Sequence, residues 1–166
     1  MTSDELIAFL NLKPLPLEGG YYIETFRSNE VIAQSGLPDR YSTDKCAITS
    51  IYYLLTPSVF SALHKLRSDE IYHFYLGDPI ELVTIDDSGV LNKVTMGANI
   101  LGGEFIQYAV PAGTWQGSTL KEGGQFALVG CTVAPGFDPD DYEHGNWEPL
   151  LRQFPDHHAT IMKMTR

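Results

Sequence analysis

Two side chains suited to acid–base chemistry, His64 and Glu70, lie close together in the sequence. His64 belongs to a predicted strand over Phe60–Leu66, and Glu70 begins a second predicted strand, Glu70–Leu76, after a turn at Ser68-Asp69. Because only a short turn joins these two strands, the imidazole and the carboxylate can aim at one point. Such a pair can move a proton on a bound molecule or contribute ligands to a metal ion.

The second of these strands places its side chains alternately on its two faces. If Glu70 faces inward, Tyr72 faces inward as well, whereas His73 points to the opposite face. Tyr72 is therefore a candidate ligand contact or a core residue. His73 joins the candidate site only if a bulge interrupts the alternation.

Three further residues are candidates for ligand binding. Trp115 and Gln116 follow a turn at Pro111–Gly113, and Arg27 ends a predicted strand that follows Gly19-Gly20. Trp115 offers a ring for stacking on a sugar or base, or for the core, and Gln116 offers a neutral amide for hydrogen bonds. Arg27 is suited to an anionic or carbonyl oxygen, or to an acidic neighbour.

The elements that must position these residues are short strands. Turn residues separate apolar runs, and the chain has 15 Gly, 10 Pro, 9 Tyr and 8 Phe, which together favour strands over a helical bundle. The remaining predicted strands are Ala47–Thr56, Ile80–Ile85, Val90–Met96, Glu104–Val110, Thr114–Thr119 and Gln125–Val133. Closely spaced short strands predict an antiparallel sandwich or barrel.

Helices are predicted at both ends of the chain. Ser3 is a good N-cap for a first helix that ends before Pro14. Asn146–Phe154 and His157–Lys163 have apolar residues at helical spacing. The polar stretch 28–45 is predicted to form a loop, and the stretch after Phe137 is acidic and rich in turns.

These segments resemble the cupin superfamily. The stretch His64–Gly77 resembles the first cupin motif, and Pro111–Gln116 resembles the second, with Gln116 where a histidine is usual. Together with Glu18–Ser28 and Val129–Phe137, they resemble the cupin_5 family, whose members are described as predicted sugar epimerases, over roughly residues 6 to 155.

The resemblance implies an all-β fold, the double-stranded β-helix or jelly-roll barrel of cupins. We therefore expect one domain over residues 1–166. It would have a helix over about 3–11, a barrel over about 19–135 and a C-terminal helical cap over about 140–166. The resemblance also implies a homodimer.

Cupins that bind metal use two histidines and a glutamate from the first motif and a histidine from the second. The corresponding residues here are His64, Leu66, Glu70 and Gln116. Because Leu66 cannot ligate and Gln116 is a poor neutral ligand, no cofactor is expected. A weakly bound divalent metal would have His64, Glu70 and Gln116 as ligands.

The resemblance also extends to metal-free cupin epimerases that act on dTDP-4-keto-6-deoxyhexoses. It implies that His64 is a catalytic base beside a carbonyl. Glu70 stands where those epimerases have a lysine, and we expect it to take part in catalysis by positioning the ligand together with Gln116. Arg27 would hold an anionic or carbonyl oxygen of a small polar ligand, sugar-like or nucleotide-sugar-like. Two alternatives are a metal-dependent cupin enzyme with a reduced ligand set and a non-catalytic ligand-binding or storage-type cupin.

The overall composition excludes several other classes of protein. The net charge of −10 repels phosphate backbones and anionic membrane surfaces, so neither nucleic acid nor a membrane is an expected partner. Cys46 and Cys131 are too few for a disulfide framework, and no apolar run is long enough to span a membrane. The expected location is the cytoplasm, where both thiols stay reduced.

Overall fold

The computed structural model describes residues 1–166. Its helices are α1 (Ser3–Leu10), α2 (Trp147–Gln153) and α3 (His158–Met164). Its strands are β1 (Lys13–Pro14), β2 (Tyr21–Arg27), β3 (Val31–Ile32), β4 (Lys45–Cys46), β5 (Thr49–Leu55), β6 (Ser61–Leu66), β7 (Asp69–Gly77), β8 (Ile80–Ile85), β9 (Leu91–Met96), β10 (Gln107–Val110), β11 (Trp115–Leu120), β12 (Ala127–Ala134) and β13 (Tyr142–His144). None of the helices is long and apolar enough to cross a membrane.

Two antiparallel sheets form the body of the protein. The first has the order β1-β2-β5-β12-β7-β10 and the second the order β13-β6-β11-β8-β9, while β3 and β4 form a separate ribbon. One buried cluster joins the sheets, with Tyr53 and Val129 from the first and Leu82 and Met96 from the second. The predicted jelly roll is confirmed, although the two sheets do not close into one continuous hydrogen-bonded barrel.

Helix α1 covers part of the outer face of the first sheet. Leu6 on the helix packs with Leu54 of β5. Its N-cap is Thr2, so the prediction of Ser3 was wrong by one residue. The Thr2 hydroxyl accepts from the Glu5 amide at 3.2 Å, and the Glu5 carboxylate accepts from the Thr2 amide at 2.7 Å. This reciprocal capping box satisfies two backbone donors, which a cap at Ser3 would leave open.

Helices α2 and α3 cover the outer face of the second sheet. Leu150 and Ile161 from the helices pack with Leu63 and Trp115 from the strands. The predicted C-terminal helical cap is therefore confirmed, and its role is to remove an apolar sheet face from water.

Leu150→Ala is expected to lower the free energy of unfolding by about 2–5 kcal/mol, because Leu150 is 1% exposed and its loss leaves a cavity under the cap. Urea denaturation measures this change. The matched control is Met162→Ala on the same cap, where the side chain is 48% exposed. Equal losses in the two variants would show that the cap does not pack as described.

The shortest strands were missed from the sequence. β13 lies in the acidic stretch predicted as turns, and β3 and β4 lie in or beside the stretch predicted as a loop. Strands of two or three residues carry too little alternation to be recognised, and their pairing is set by neighbouring strands. β10 also begins at Gln107, later than the predicted Glu104.

Candidate active site

His64 lies on β6 at the centre of a cluster of ionisable groups. It is 2% exposed, and its Nδ1 lies 2.8 Å from the Ala62 carbonyl oxygen. Since a carbonyl only accepts, Nδ1 carries a proton and the ring orientation is fixed. The opposite nitrogen, Nε2, lies 3.9 Å from Oε2 of Glu18 and 3.9 Å from Oε2 of Glu70.

The two carboxylates determine the charge of His64. Burial lowers the pKa of the imidazole, but the charge of Glu18 and the interactions with Glu70 outweigh it and raise the pKa to about 9. Burial also raises the pKa of the Glu18 carboxyl, with a further contribution from the charge of Glu70, although the charge of His64 acts in the opposite direction. At neutral pH, His64 is therefore an imidazolium, and Glu18 is a stronger base than an ordinary glutamate.

Glu70 is held by Gln116 from the neighbouring sheet. Gln116 Nε2 donates a hydrogen bond of 2.6 Å to Glu70 Oε2. Strand pairing places Gln116 directly opposite His64, and its side chain is 1% exposed. Its Oε1 has no hydrogen-bond partner. Gln116 therefore acts on Glu70 rather than forming part of the cavity wall.

Glu18 reaches the cluster from the loop between β1 and β2. Ser61 Oγ donates to Glu18 Oε1 at 2.8 Å, and the Ala62 amide donates to the Glu18 carbonyl at 2.8 Å. Tyr53 donates from its hydroxyl to the carbonyl of Gly19 at 2.9 Å. These contacts tie the loop to both sheets and direct the Glu18 carboxylate towards His64.

The backbone of this loop requires unusual conformations. Leu17 has a φ of 65°, and Gly20 has a φ of 72°. A Cβ on Gly20 would lie 2.6 Å from the Tyr53 ring, so only glycine fits there. The left-handed conformation costs a residue such as Leu17 roughly 1–2 kcal/mol, which is typical of a loop held in place for a functional site.

Tyr142 on β13 covers the other side of the imidazole. Its ring stacks on His64 with centroids 5.4 Å apart and planes 19° apart. The preceding residue, Asp141, forms an ion pair with the buried Lys45, whose Nζ lies 2.8 Å from Asp141 Oδ2 and 3.1 Å from Asp138 Oδ2. The ribbon that contains Lys45 thus anchors the segment that carries Tyr142.

A cavity of about 470 Å³ opens in front of this cluster. Its polar wall contains Glu18, His64 and Glu70, and most of the rest is apolar or aromatic. The remaining lining residues are Leu15, Pro16, Leu17, Tyr22, Glu24, Arg27, Thr49, Ile51, Tyr53, Leu66, Cys131, Val133, Phe137, Pro139 and Tyr142. A concave apolar site with a few convergent polar groups is the usual form of a small-molecule site.

Arg27 lines the cavity, but four of its five N–H donors are already engaged by the protein. Its Nε and Nη2 donate to the two carboxylate oxygens of Glu24 at 3.0 and 2.7 Å. Its Nη1 donates to the Phe137 carbonyl at 3.1 Å and contacts the Cys46 sulfur at 3.4 Å. Arg27 therefore ties the Phe137 loop to β2, which differs from the predicted role as a free anion anchor.

Three predicted ligand contacts lie away from the cavity wall. Tyr72 is 1% exposed in the core between the sheets. His73 lies on the opposite face of β7, where its ring contacts Gln107 at 3.2 Å. Trp115 packs under the C-terminal helices, with the Lys65 ammonium 4.7 Å above its ring. The structure therefore brings together His64, Glu70, Gln116 and Arg27 but leaves these three outside.

Two residues of the cluster were missed from the sequence. Glu18 and Tyr142 lie outside the strands that were predicted, so alternation gave no indication of where their side chains point. The Gly19-Gly20 pair was the available signal for Glu18, since consecutive glycines mark a turn where the backbone comes close to other groups. No comparable signal marks Tyr142.

The fold and these motifs agree with a comparison against known families. The sequence model of Cupin_5, described as "Cupin superfamily (DUF985)", matches residues 4–145. The chain belongs to the Cupin_5 family. This match covers all thirteen strands and all residues of the cluster around His64.

Proteins similar to this cupin occur in a protozoan, a bacterium and a yeast. A hypothetical protein from Leishmania major is 35% identical, with a TM-score of 0.90 and 99% of each chain covered. Protein SO0799 from Shewanella oneidensis is 34% identical, with a TM-score of 0.89 over 100% of this chain and 98% of that chain. The uncharacterised protein YML079W of Saccharomyces cerevisiae is 31% identical over 144 residues, which is 81% of this chain and 71% of the yeast protein.

The cupin metal centre does not fit the residues of this site. No group of three or more His, Cys, Asp or Glu side chains has the arrangement of a metal site. Leu66 supplies no donor atom, and Gln116 turns its amide nitrogen towards Glu70. His64 has one nitrogen bound to the Ala62 carbonyl, and its other nitrogen faces two carboxylates that favour a proton.

Metal analysis tests this conclusion directly. Protein purified without chelator is expected to contain substoichiometric divalent metal, because the cluster lacks the three or more ligands of a tight site. Glu70→Gln should leave that content unchanged. A stoichiometric metal that is lost in Glu70→Gln would contradict it and would favour the metal-dependent alternative.

Proposed function

We propose that this cupin is a metal-free isomerase that moves a proton on a carbon atom next to a carbonyl group in a small, sugar-sized ligand. The observation that carries the proposal is the position of the His64 imidazolium between two buried carboxylates at the wall of a cavity. Isomerisation of this kind needs a base for the carbon-bound proton and a donor for the oxygen that becomes negative.

The charges assign these two roles differently from the sequence prediction. With a pKa of about 9, His64 is protonated at neutral pH and cannot accept the proton. The base is instead Glu18, whose pKa is raised by burial. Glu70, held by Gln116, keeps His64 charged and so acts as a positioning residue.

The proposed reaction moves one proton between neighbouring carbon atoms of the ligand through Glu18. Glu18 Oε2 takes the proton from the carbon atom, and the electron pair of the broken C–H bond forms a C=C bond. The π electrons of the carbonyl move to its oxygen, which receives a hydrogen bond from His64 Nε2. His64 passes its Nε2 proton to this oxygen, which gives an enediol, and then takes the proton of the neighbouring hydroxyl, whose O–H electron pair forms the new C=O bond. Glu18 returns its proton to the adjacent carbon, which binds it with the electron pair of the C=C bond.

A single base favours isomerisation over epimerisation. Epimerisation at one carbon needs an acid on the face opposite the base, whereas an enediol can be protonated by the same base at the neighbouring carbon. Glu18 can serve both positions from one side. The reaction class supported best is therefore the interconversion of α-hydroxy aldehydes and ketones.

Deuterium wash-in tests the proposal. Hydroxy aldehydes and ketones of sugar size are incubated with the protein in D2O, and NMR measures deuterium at the carbon next to the carbonyl. Wild-type protein should accelerate exchange, and His64→Gln should reduce it by about 100-fold or more. The matched control is His158→Gln on the exposed side of α3. Absence of exchange across the panel, or full exchange in His64→Gln, would refute the proposal.

A further inference from the structure

The ionisable groups of the cavity leave one negative charge without a partner. Glu24 and Arg27 neutralise each other at the wall, and His64 neutralises one of the two carboxylates, Glu18 and Glu70. The cavity wall has no other cation, because Arg27 and His64 are its only basic residues. A net negative cavity within an acidic protein disfavours phosphate and carboxylate groups and attracts cations.

Two carboxylate oxygens of the cluster accept no hydrogen bond from the protein. Glu18 Oε1 accepts from Ser61 and Glu70 Oε2 accepts from Gln116, which leaves Glu18 Oε2 and Glu70 Oε1. Both carboxylates are largely buried, with side-chain exposures of 15% and 8%. A buried acceptor without a hydrogen bond is unfavourable, so a ligand that donates to it gains binding energy. A charged donor forms a stronger hydrogen bond than a neutral one.

Aromatic rings line the same cavity. They belong to Tyr22, Tyr53, Phe137 and Tyr142. The faces of such rings attract cations and bind organic ammonium groups, and they offer nothing to a phosphate. Negative charge, open acceptors and aromatic walls therefore favour the same kind of ligand.

We infer that the ligand of this cavity bears an ammonium group, placed at the open Oε1 of Glu70, beside the oxygen that His64 holds. The assignment of that oxygen rests on the proposed function. The structure thus favours an amino-substituted sugar or a similar amino hydroxy carbonyl compound. It disfavours the nucleotide-sugar ligand implied by the family resemblance, since the one cation available for a diphosphate, Arg27, is already bonded to Glu24.

Titration calorimetry with three matched probes tests this inference. The probes are D-glucosamine, D-glucose and D-glucose 6-phosphate, at about pH 6.5, where the amine is protonated. Glucosamine should bind about tenfold or more tightly than glucose, and the phosphate should bind more weakly than either. Equal binding of glucose, tighter binding of the phosphate, or no detectable binding of glucosamine would overturn the inference.

Charge variants locate the effect. Glu70→Gln should remove most of the preference for glucosamine over glucose, whereas Glu122→Gln, which removes the same charge from an exposed turn, should keep it. A preference unchanged in Glu70→Gln would place the ammonium elsewhere and overturn the inference. Calorimetry reports binding without turnover, so selective amine binding without deuterium exchange would refute only the proposed reaction.

Discussion

His64→Gln is expected to lower the free energy of unfolding by about 3–5 kcal/mol near neutral pH, which is the cost of removing one partner of a buried ion pair. The variant keeps a polar side chain of similar size but leaves Glu18 and Glu70 without the imidazolium between them. Urea denaturation measures the change. The double variant Glu18→Gln/His64→Gln should recover part of the loss, because it removes one of the two buried carboxylates that His64→Gln leaves without a cationic partner.

The pH dependence of this loss identifies its cause. His64 has a pKa of about 9 in the folded protein, against an ordinary value of 6.5. Its charge therefore contributes fully to the free energy of unfolding below about pH 6.5, and this contribution is lost as the pH rises through 9. That shift corresponds to roughly 3 kcal/mol. The raised pKa of Glu18 acts in the same direction, since its charged form is disfavoured in the folded state as the pH rises above 4.5.

The difference in stability between wild type and His64→Gln should therefore be largest near pH 6.5 and much smaller near pH 10. Unfolding curves at a series of pH values give this difference directly. His157→Gln is a useful comparison, because His157 also contacts a carbonyl, that of Gly89 at 2.7 Å, but lies outside the cluster. A pH-independent loss in His64→Gln would show that packing, and not charge, accounts for it.

Glu18→Gln is expected to reduce deuterium exchange by about 100-fold or more, because an amide cannot accept the carbon-bound proton. The same substitution removes the first of the charges that raise the pKa of His64, so that pKa should fall below about 9. NMR titration of the imidazole measures the second effect independently of turnover. This linked change separates Glu18 from a residue that only shapes the cavity.

Glu122→Gln serves as the matched control for both measurements, because it removes the same charge from an exposed turn. It should leave the exchange rate and the pKa of His64 unchanged. If Glu18→Gln lowered the pKa of His64 but left exchange intact, Glu18 would not be the base. If neither quantity changed, the Glu18 carboxylate would not lie beside His64.

Alternation along strands predicted part of the site and could have predicted more. Adjacent residues of a strand face opposite sides of the sheet. Only one residue of the pair Tyr72 and His73 can therefore face the interior, and the same holds for the pair Trp115 and Gln116. The structure places Tyr72 and Gln116 inside and Trp115 on the outer face of the second sheet. The outer position of Trp115 follows from the C-terminal helices, which cover that face.

Loops were harder to predict than strands, for a physical reason. Glu18 is directed by hydrogen bonds to Ala62 and Ser61, and by the hold of Tyr53 on Gly19, all distant in the sequence. No local pattern reports such contacts. The protonation state of His64 was equally hidden, because the raised pKa of the imidazole depends on Glu18. Our proposal of His64 as the acid, in place of the predicted base, rests on that carboxylate.

The pairing of β13 with β6 has a consequence for the order in which the protein acquires its site during synthesis. Tyr142 pairs with Leu66 and stacks on His64, so one wall of the cavity comes from the last strand to be translated, long after its partner β6. Contacts between distant parts of a chain form slowly, since loop closure is unfavourable in entropy. A nascent chain that still holds residues 142–144 inside the ribosome has both sheets largely available but no completed cavity. Ligand binding by stalled chains of increasing length should therefore begin only after β13 has emerged.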